Sequence, residues 1–221
     1  MYFGSFKFND IVIEVKNCNR YLGLMVDDGL RWSNHVCYIG KRLSLQLFVL
    51  RNLLKIFDKK MNYYHAGFQS IVTYNVSIWG SSSIAETILL LQKRALRIID
   101  GKPKNYPCRE LFKRLGVLTV TNAYVFEVLQ TSIKSGLVSL EKMQPQHAYP
   151  TRHYFIAVNT KKNVRSSSSA ATSLLNKLPL EFRKYLKDEG PVKFLVSFKK
   201  ALLSAPRYSL NEFFRNPIPV Y

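Results

Sequence analysis

Apolar and polar residues alternate with a period near two only at the start of the chain. Phe6-Lys7-Phe8 and Ile11-Val12-Ile13-Glu14-Val15 flank Asn9-Asp10, residues that tolerate the positive φ of a tight hairpin turn. A third strand-like run, Tyr21 to Val26, ends at the turn signal Asp27-Asp28-Gly29. The period then lengthens to that of a helix. After Ser33, a candidate cap, come Val36, Ile39, Leu43, Leu47, Leu50 and Leu54 at helical spacing. Asp58 opens a second helix with Met61, Tyr64, His65, Phe68, Ile71 and Val72 on one stripe. Ser83 and Glu86 have capping-box spacing before a third, whose apolar positions are Ile88, Leu91, Ala95, Ile98 and Ile99, with Gly101 as its stop.

Further along, Pro107 suits the first turn of a short helix ending at Gly116, and Thr119 or Thr121 starts another that reaches about Leu137. Residues 142–172 mix Pro, Ser, Asn, Thr, Lys and Arg without periodicity. They read as an exposed connection containing a short ordered Tyr149-Pro150-Thr151-Arg152 element. Three short helical patterns close the chain, around Ala171–Lys177, Pro191–Leu203 and Ser209–Phe214, and Ser209 with Glu212 again has capping-box spacing. The fold expected is mainly α with a small N-terminal antiparallel β-hairpin or three-stranded sheet. It divides into a β element over 1–32, a helical unit over 33–140, a basic, partly disordered linker over 141–172 and a helical tail over 173–221.

Composition supports a packed core: 47% of the 221 residues are hydrophobic, with 13 Tyr and 14 Phe among them. Charge changes the picture more. There are 33 Lys and Arg against 14 Asp and Glu, a net +19, with 13 basic and 7 acidic residues in 1–100 and 20 against 7 in 101–221. Such a surplus repels itself in a compact fold unless a polyanion or counterions offset it. Nucleic acid is a partner whose phosphates release condensed counterions on contact. A simply basic protein, or one at an anionic membrane surface, would give the same count. Cys18, Cys37 and Cys108 are too few and too scattered for a disulfide framework or a Cys-rich zinc site. No apolar run nears the roughly 18 residues of a membrane span, and Met1–Asp10 lacks a signal-peptide core. A soluble intracellular chain in the cytoplasm or nucleus is expected. Its opening directly in strand-like sequence suggests that a further part precedes it.

Little in the chain points to catalysis. Asp27-Asp28 resembles the paired aspartates of polymerases, but two-metal phosphoryl transfer needs a third carboxylate. The only earlier acids are Asp10 and Glu14, inside the preceding hairpin. The pair reads as an Asp-Asp-Gly turn. His35, His65, His147 and His153 show no metal-ligand spacing, and His65, on an apolar stripe, reads as a core histidine. Neither a phosphate-cradling glycine loop nor a GxSxG elbow is present. No catalytic residue, metal ligand, cofactor or small-molecule substrate is assigned.

The stretch from Arg20-Tyr21-Leu22-Gly23 through Asp27, Leu30, Trp32 and His35 resembles the hallmark that follows the catalytic palm in jockey-like non-LTR retrotransposon reverse transcriptases. The likeness continues in order through Leu50-Arg51-Asn52-Leu53, Tyr74, Trp79-Gly80 and Leu91-Gln92-Lys93-Arg94-Ala95-Leu96-Arg97. It then runs through Leu111 to Thr119, Tyr149-Pro150-Thr151-Arg152, Asn176-Lys177-Leu178-Pro179 and Tyr208 to Phe213, so that it covers about residues 20–214.

The resemblance implies that Tyr21, Leu22 and Gly23 correspond to a primer-grip element, and that the helices from Ser33 to about Asp100 correspond to a thumb. Lys41, Arg42, Lys93, Arg94 and Arg97 then become candidate phosphate contacts to an RNA/DNA template–primer duplex, read by backbone shape. The implied partners are that duplex and the missing palm and fingers, to which catalytic Mg would belong. The sequence departs from the pattern in lacking the aspartate-bearing palm and in having Asn75 where a glycine is expected after Tyr74. It is therefore expected to be no polymerase by itself and to bind nucleic acid non-specifically. The alternatives are an interaction remnant that only packs on its missing half, and an enzyme of unrecognised chemistry.

Overall fold

A computed structural model of the chain describes residues 5–8, 11–53, 60–136, 167–216 and 218. Two separate antiparallel hairpins come first among them: β1 (Ser5–Phe8) pairs with β2 (Ile11–Glu14), and β3 (Cys18–Tyr21) with β4 (Leu24–Asp27). The run read as one strand from Tyr21 to Val26 is instead folded over at Leu22-Gly23, so that Tyr21 faces Leu24 across the pair. Both turn residues are left-handed, at φ 45° and 80°, the conformation whose twist matches a two-residue hairpin. Alternation alone passes through this turn, which is why it reads as continuous strand.

Helices then build the body: α1 (Ser33–Leu53), α2 (Lys60–Tyr63), a π-helical turn (Tyr64–Gln69), α3 (Ser70–Thr73), α4 (Val76–Trp79), α5 (Ala85–Ile99) and α6 (Arg109–Arg114). They are followed by α7 (Val120–Lys134), α8 (Ser167–Lys177), α9 (Leu180–Ser204) and α10 (Leu210–Arg215). The apolar stripe of α1 is buried from Val36 to Leu50 and packs on α5, whose Ile88, Ala95 and Leu96 are also buried. Helix α7 is buried on nearly every face, from Val120 through Phe126 and on to Ile133, as befits a helix enclosed by others. Helices α4, α5, α8 and α9 surround it. On α9, Phe194 and Phe198 stack at 5.4 Å, and Phe182 meets both edge-on, a favoured aromatic arrangement. These residues join the α1–α5 layer in one hydrophobic cluster.

Several helix ends follow the sequence signals. Thr119 Oγ1 accepts the Asn122 N–H and caps α7. Ser209 Oγ accepts the Glu212 N–H, while Glu212 reaches back to the Tyr208 N–H. Gly101 (φ 64°) closes α5, with the Lys102 N–H bonded to the Arg97 carbonyl and that of Gly101 to Ile98, a Schellman ending.

Other expectations are corrected. Ser33 is the first helical residue of α1, not its cap, and Asp27 takes over the preceding N–H groups. Helix α5 begins at Ala85 without any side-chain cap, so Ser83 and Glu86 form no capping box. Helix α8 starts at Ser167, inside the stretch read as connection. Helix α9 extends back to Leu180, and its two halves join at Gly190, whose φ of 81° and ψ of 172° break it just before Pro191. His65 is exposed, whereas His35 is buried. The extra residue in the π-helical turn keeps Tyr64 and Phe68 inward and carries His65 off the core face. Leu54, Asp58 and the Tyr149–Arg152 element lie outside the described residues.

The Tyr74-Asn75 and Trp79-Gly80 positions have structural explanations. Asn75 sits at φ 49° before α4, a left-handed position that suits glycine best and asparagine next. Trp79 is fully buried and donates its indole N–H to the Tyr74 carbonyl at 3.0 Å. A Cβ on Gly80 would lie 2.6 Å from the Val76 carbonyl and 2.9 Å from Tyr124, so glycine permits α4 and α7 to touch.

Candidate nucleic-acid interface

The β3–β4 hairpin packs on α1 through β4, and its turn meets Tyr74, the residue that ends α3. Tyr74 donates its hydroxyl to the Leu22 carbonyl at 2.7 Å. A side chain at Gly23 would press on the Tyr74 ring at 3.3 Å, at a backbone φ of 80° that only glycine adopts freely. Tyr21 and Leu22 remain about 70% exposed, at 68% and 72%. The three residues of the primer-grip-like element therefore split into an anchored backbone and two outward side chains.

Beneath this turn lies a cleft of about 250 Å3, bordered by Arg20, Gly23, His35, Tyr38, Arg42 and Tyr74 among others, with no carboxylate in its lining. Arg20 comes from β3 and Arg42 from α1, and both guanidinium groups approach the Tyr38 ring, at 5.6 Å and 5.9 Å from its centroid. Both distances lie within the outer range of cation–π attraction, and both arginines are exposed. Among the described residues, no carboxylate forms an ion pair with either arginine. His35 is almost wholly buried and lies edge-on to Trp79, with ring centroids 5.9 Å apart. Its Nδ1 accepts the Met25 N–H at 3.3 Å, and burial pushes its pKa down, toward the neutral ring.

The α5 candidates have a different fate. Arg94 is exposed. Lys93 lies 3.6 Å from the centroid of the Tyr208 ring, and burial lowers its pKa. Arg97 donates its Nε–H to the Tyr106 carbonyl at 2.9 Å. Arg109 completes the clamp: it bonds the Pro206 carbonyl at 2.9 Å and Glu212 at 2.6 Å, and its guanidinium also lies over Tyr208 at 4.4 Å. Burial, chiefly, pushes the Tyr208 phenol up to about 12. Part of the basic stripe thus holds the C-terminal segment. Lys41, by contrast, is exposed beside Arg42 on α1.

The inward face of the Leu91–Arg97 segment is organised by a residue the charge pattern does not single out. Gln92 is fully buried; its Oε1 accepts the Val120 N–H at 2.8 Å, and its Nε2 donates to the Leu118 carbonyl at 3.3 Å. Its helical position among Ile88, Ala95 and Leu96 was the available clue.

Asp27 serves a turn. Its two carboxylate oxygens accept the Arg31 and Trp32 N–H groups, each at 2.8 Å. The Arg31 N–H in particular holds the Asp27 carboxyl below the usual carboxylate range, against the opposing push of burial. These bonds secure a loop in which Leu30 and Trp32 are left-handed, at φ 49° and 64°. Asp28 is exposed. Among the described residues, no three His, Cys, Asp or Glu side chains converge as a metal-binding group, and no helix is long and apolar enough to cross a membrane. The chain matches no family model, no curated protein and no solved structure.

Proposed function

We propose that this chain is a thumb-like portion of reverse-transcriptase lineage, without the aspartate-bearing palm, and that it grips the sugar-phosphate backbone of a template–primer duplex without catalysing extension. The observation that carries the reading is the acid-free cleft in which Arg20 and Arg42 flank Tyr38 beneath the Leu22-Gly23 turn. A net charge of +19 supplies long-range attraction to a polyanion. The ordered motifs over about 20–214 supply the lineage. On this reading the site acts by charge and shape, with no preference for base sequence, and the chain works in the cytoplasm or nucleus.

The test is anisotropy of a labelled RNA–DNA hybrid titrated with the purified chain at several salt concentrations, beside a primer-extension control. Expected are a dissociation constant of about 1–100 µM at physiological salt, a steep loss of affinity with added salt and no extension. Weak binding at low salt, or binding indifferent to salt, would sink the proposal.

One feature favours a second reading, an interaction remnant. Leu45, Phe48 and Val49 form an exposed apolar strip on α1, at spacing that suits packing against another element. That reading predicts salt-insensitive self-association and no affinity for the hybrid.

A further inference from the structure

The tip of the β3–β4 hairpin carries a residue that its own turn disfavours. Leu22 and Gly23 are both left-handed, at φ 45° and 80°. A two-residue turn of this kind prefers Asn-Gly or Asp-Gly, because a bulky side chain at positive φ crowds the backbone. Glycine meets that demand at position 23, and leucine does not meet it at position 22. Burial would offset the cost, yet Leu22 is 72% exposed and its neighbour Tyr21 68%. What the fold uses is the Leu22 carbonyl, which accepts the Tyr74 hydroxyl at 2.7 Å, and any residue there supplies a carbonyl. The leucine side chain thus strains the turn without entering the core, and strain of that kind marks contact surfaces.

The surroundings of the tip indicate what it meets. Arg20 directly precedes Tyr21. With Arg42, it borders the acid-free cleft that Gly23 and Tyr74 also line. An apolar tip beside a cationic cleft fits a polyanion that offers an apolar face as well. A continuous duplex turns its phosphates and sugars outward and hides its base faces in the stack. An unpaired nucleobase presents a face next to its own phosphate, and aromatic or apolar side chains pack on such faces whatever the base.

We infer that Tyr21 and Leu22 form a nucleobase contact, in which the hairpin tip packs on an unpaired base of a strand whose phosphates the neighbouring arginines attract. The assignment deepens the nucleic-acid reading and rests on it for the polyanion. It adds a ligand class, nucleic acid with unpaired bases, and a share of the affinity that depends on apolar contact rather than on charge.

The experiment measures anisotropy with the full chain on two labelled RNA–DNA hybrids of equal phosphate count, one with a single-stranded overhang and one with an abasic overhang of the same length. Free single strands, with and without bases, form a second pair. The parent is expected to prefer the overhang that carries bases by about fivefold or more. L22N, which creates the preferred Asn-Gly turn, is expected to bring that ratio close to one while its urea midpoint rises. Y21T, which keeps a strand-forming residue, is expected to lower the ratio as well. Equal binding of both overhangs by a parent that still binds the hybrid overturns the base contact and leaves the proposed function intact. A base preference on free strands that L22N abolishes, without affinity for either hybrid, does the opposite. A ratio that L22N retains, or an L22N midpoint below the parent's, assigns Leu22 to the fold and overturns its role. Binding to none of the four overturns both.

Discussion

Replacing Gln92 with leucine tests whether the Leu91–Arg97 segment is first a packing device. The new side chain has similar bulk, so the apolar contacts of α5 largely persist. What is lost is specific: the Val120 N–H, bonded at 2.8 Å, loses its acceptor, and the Leu118 carbonyl, bonded at 3.3 Å, loses its donor. Val120 opens α7, and its N–H is among those a helix cannot satisfy internally. Stranding one buried N–H costs about 1–3 kcal/mol and losing a second net hydrogen bond about 0.5–1.5, so the substitution should cost about 2–4 kcal/mol. For a chain of 221 residues that corresponds to a fall in Tm of roughly 4–15 °C. Urea unfolding followed by circular dichroism is the assay, with the midpoint falling and the slope unchanged. Arg94→Gln, two residues along on the exposed face, should stay within about 0.5 kcal/mol of the parent. A Gln92→Leu midpoint equal to the parent's, or an Arg94→Gln loss as large, would refute the reasoning.

Gly80→Ala places a Cβ 2.6 Å from the Val76 carbonyl, and overpacking of that kind should cost about 1–3 kcal/mol in the same urea assay. Gly190→Ala forces a side chain into a backbone region nearly reserved for glycine; about 1–3 kcal/mol should be lost, with amide exchange accelerating first around the α9 junction. Asp27→Asn weakens the acceptor for the Arg31 and Trp32 N–H groups and should lower stability at neutral pH. Because the folded carboxyl titrates below its ordinary value of 3.8, its contribution is present above that value and fades as pH falls below it. Acid unfolding should therefore narrow the gap between Asp27→Asn and the parent below about pH 4, and a gap that widened would contradict the assignment.

Elements set by local chemistry were legible in the sequence. The α1 stripe, the Thr119 cap, the Ser209–Glu212 pair and the glycine that ends α5 each depend on residues a few positions apart. Legibility failed where a feature depends on distant chain or on an irregular turn. No period marks the π-helical turn that carries His65, expected in the core, to the surface. The Leu180–Glu189 half of α9 carries its inward residues Phe182 and Leu186 too sparsely to stand out beside Gly190-Pro191.

The candidate site was legible in part. Gly23 and Arg42 could be named from the motif, but Arg20 and Tyr38 join them only because β4, paired with β3, packs on α1. Lys93 and Arg97 share an outward stripe in sequence, yet Lys93 meets Tyr208 and Arg97 the Tyr106 carbonyl, the first across more than a hundred residues. A helical wheel cannot anticipate a cover supplied by the far end of the chain.

The most direct test of the central claim is the salt dependence of binding to an RNA–DNA hybrid, compared between the parent and R20Q/R42Q. Each phosphate contact contributes about 0.9 to the slope of log K against log salt on duplex DNA. The account predicts that the double substitution flattens the slope by about two contacts and weakens binding with no change in fold. An unchanged slope and affinity would place the grip elsewhere on this basic surface and contradict the assignment of the cleft.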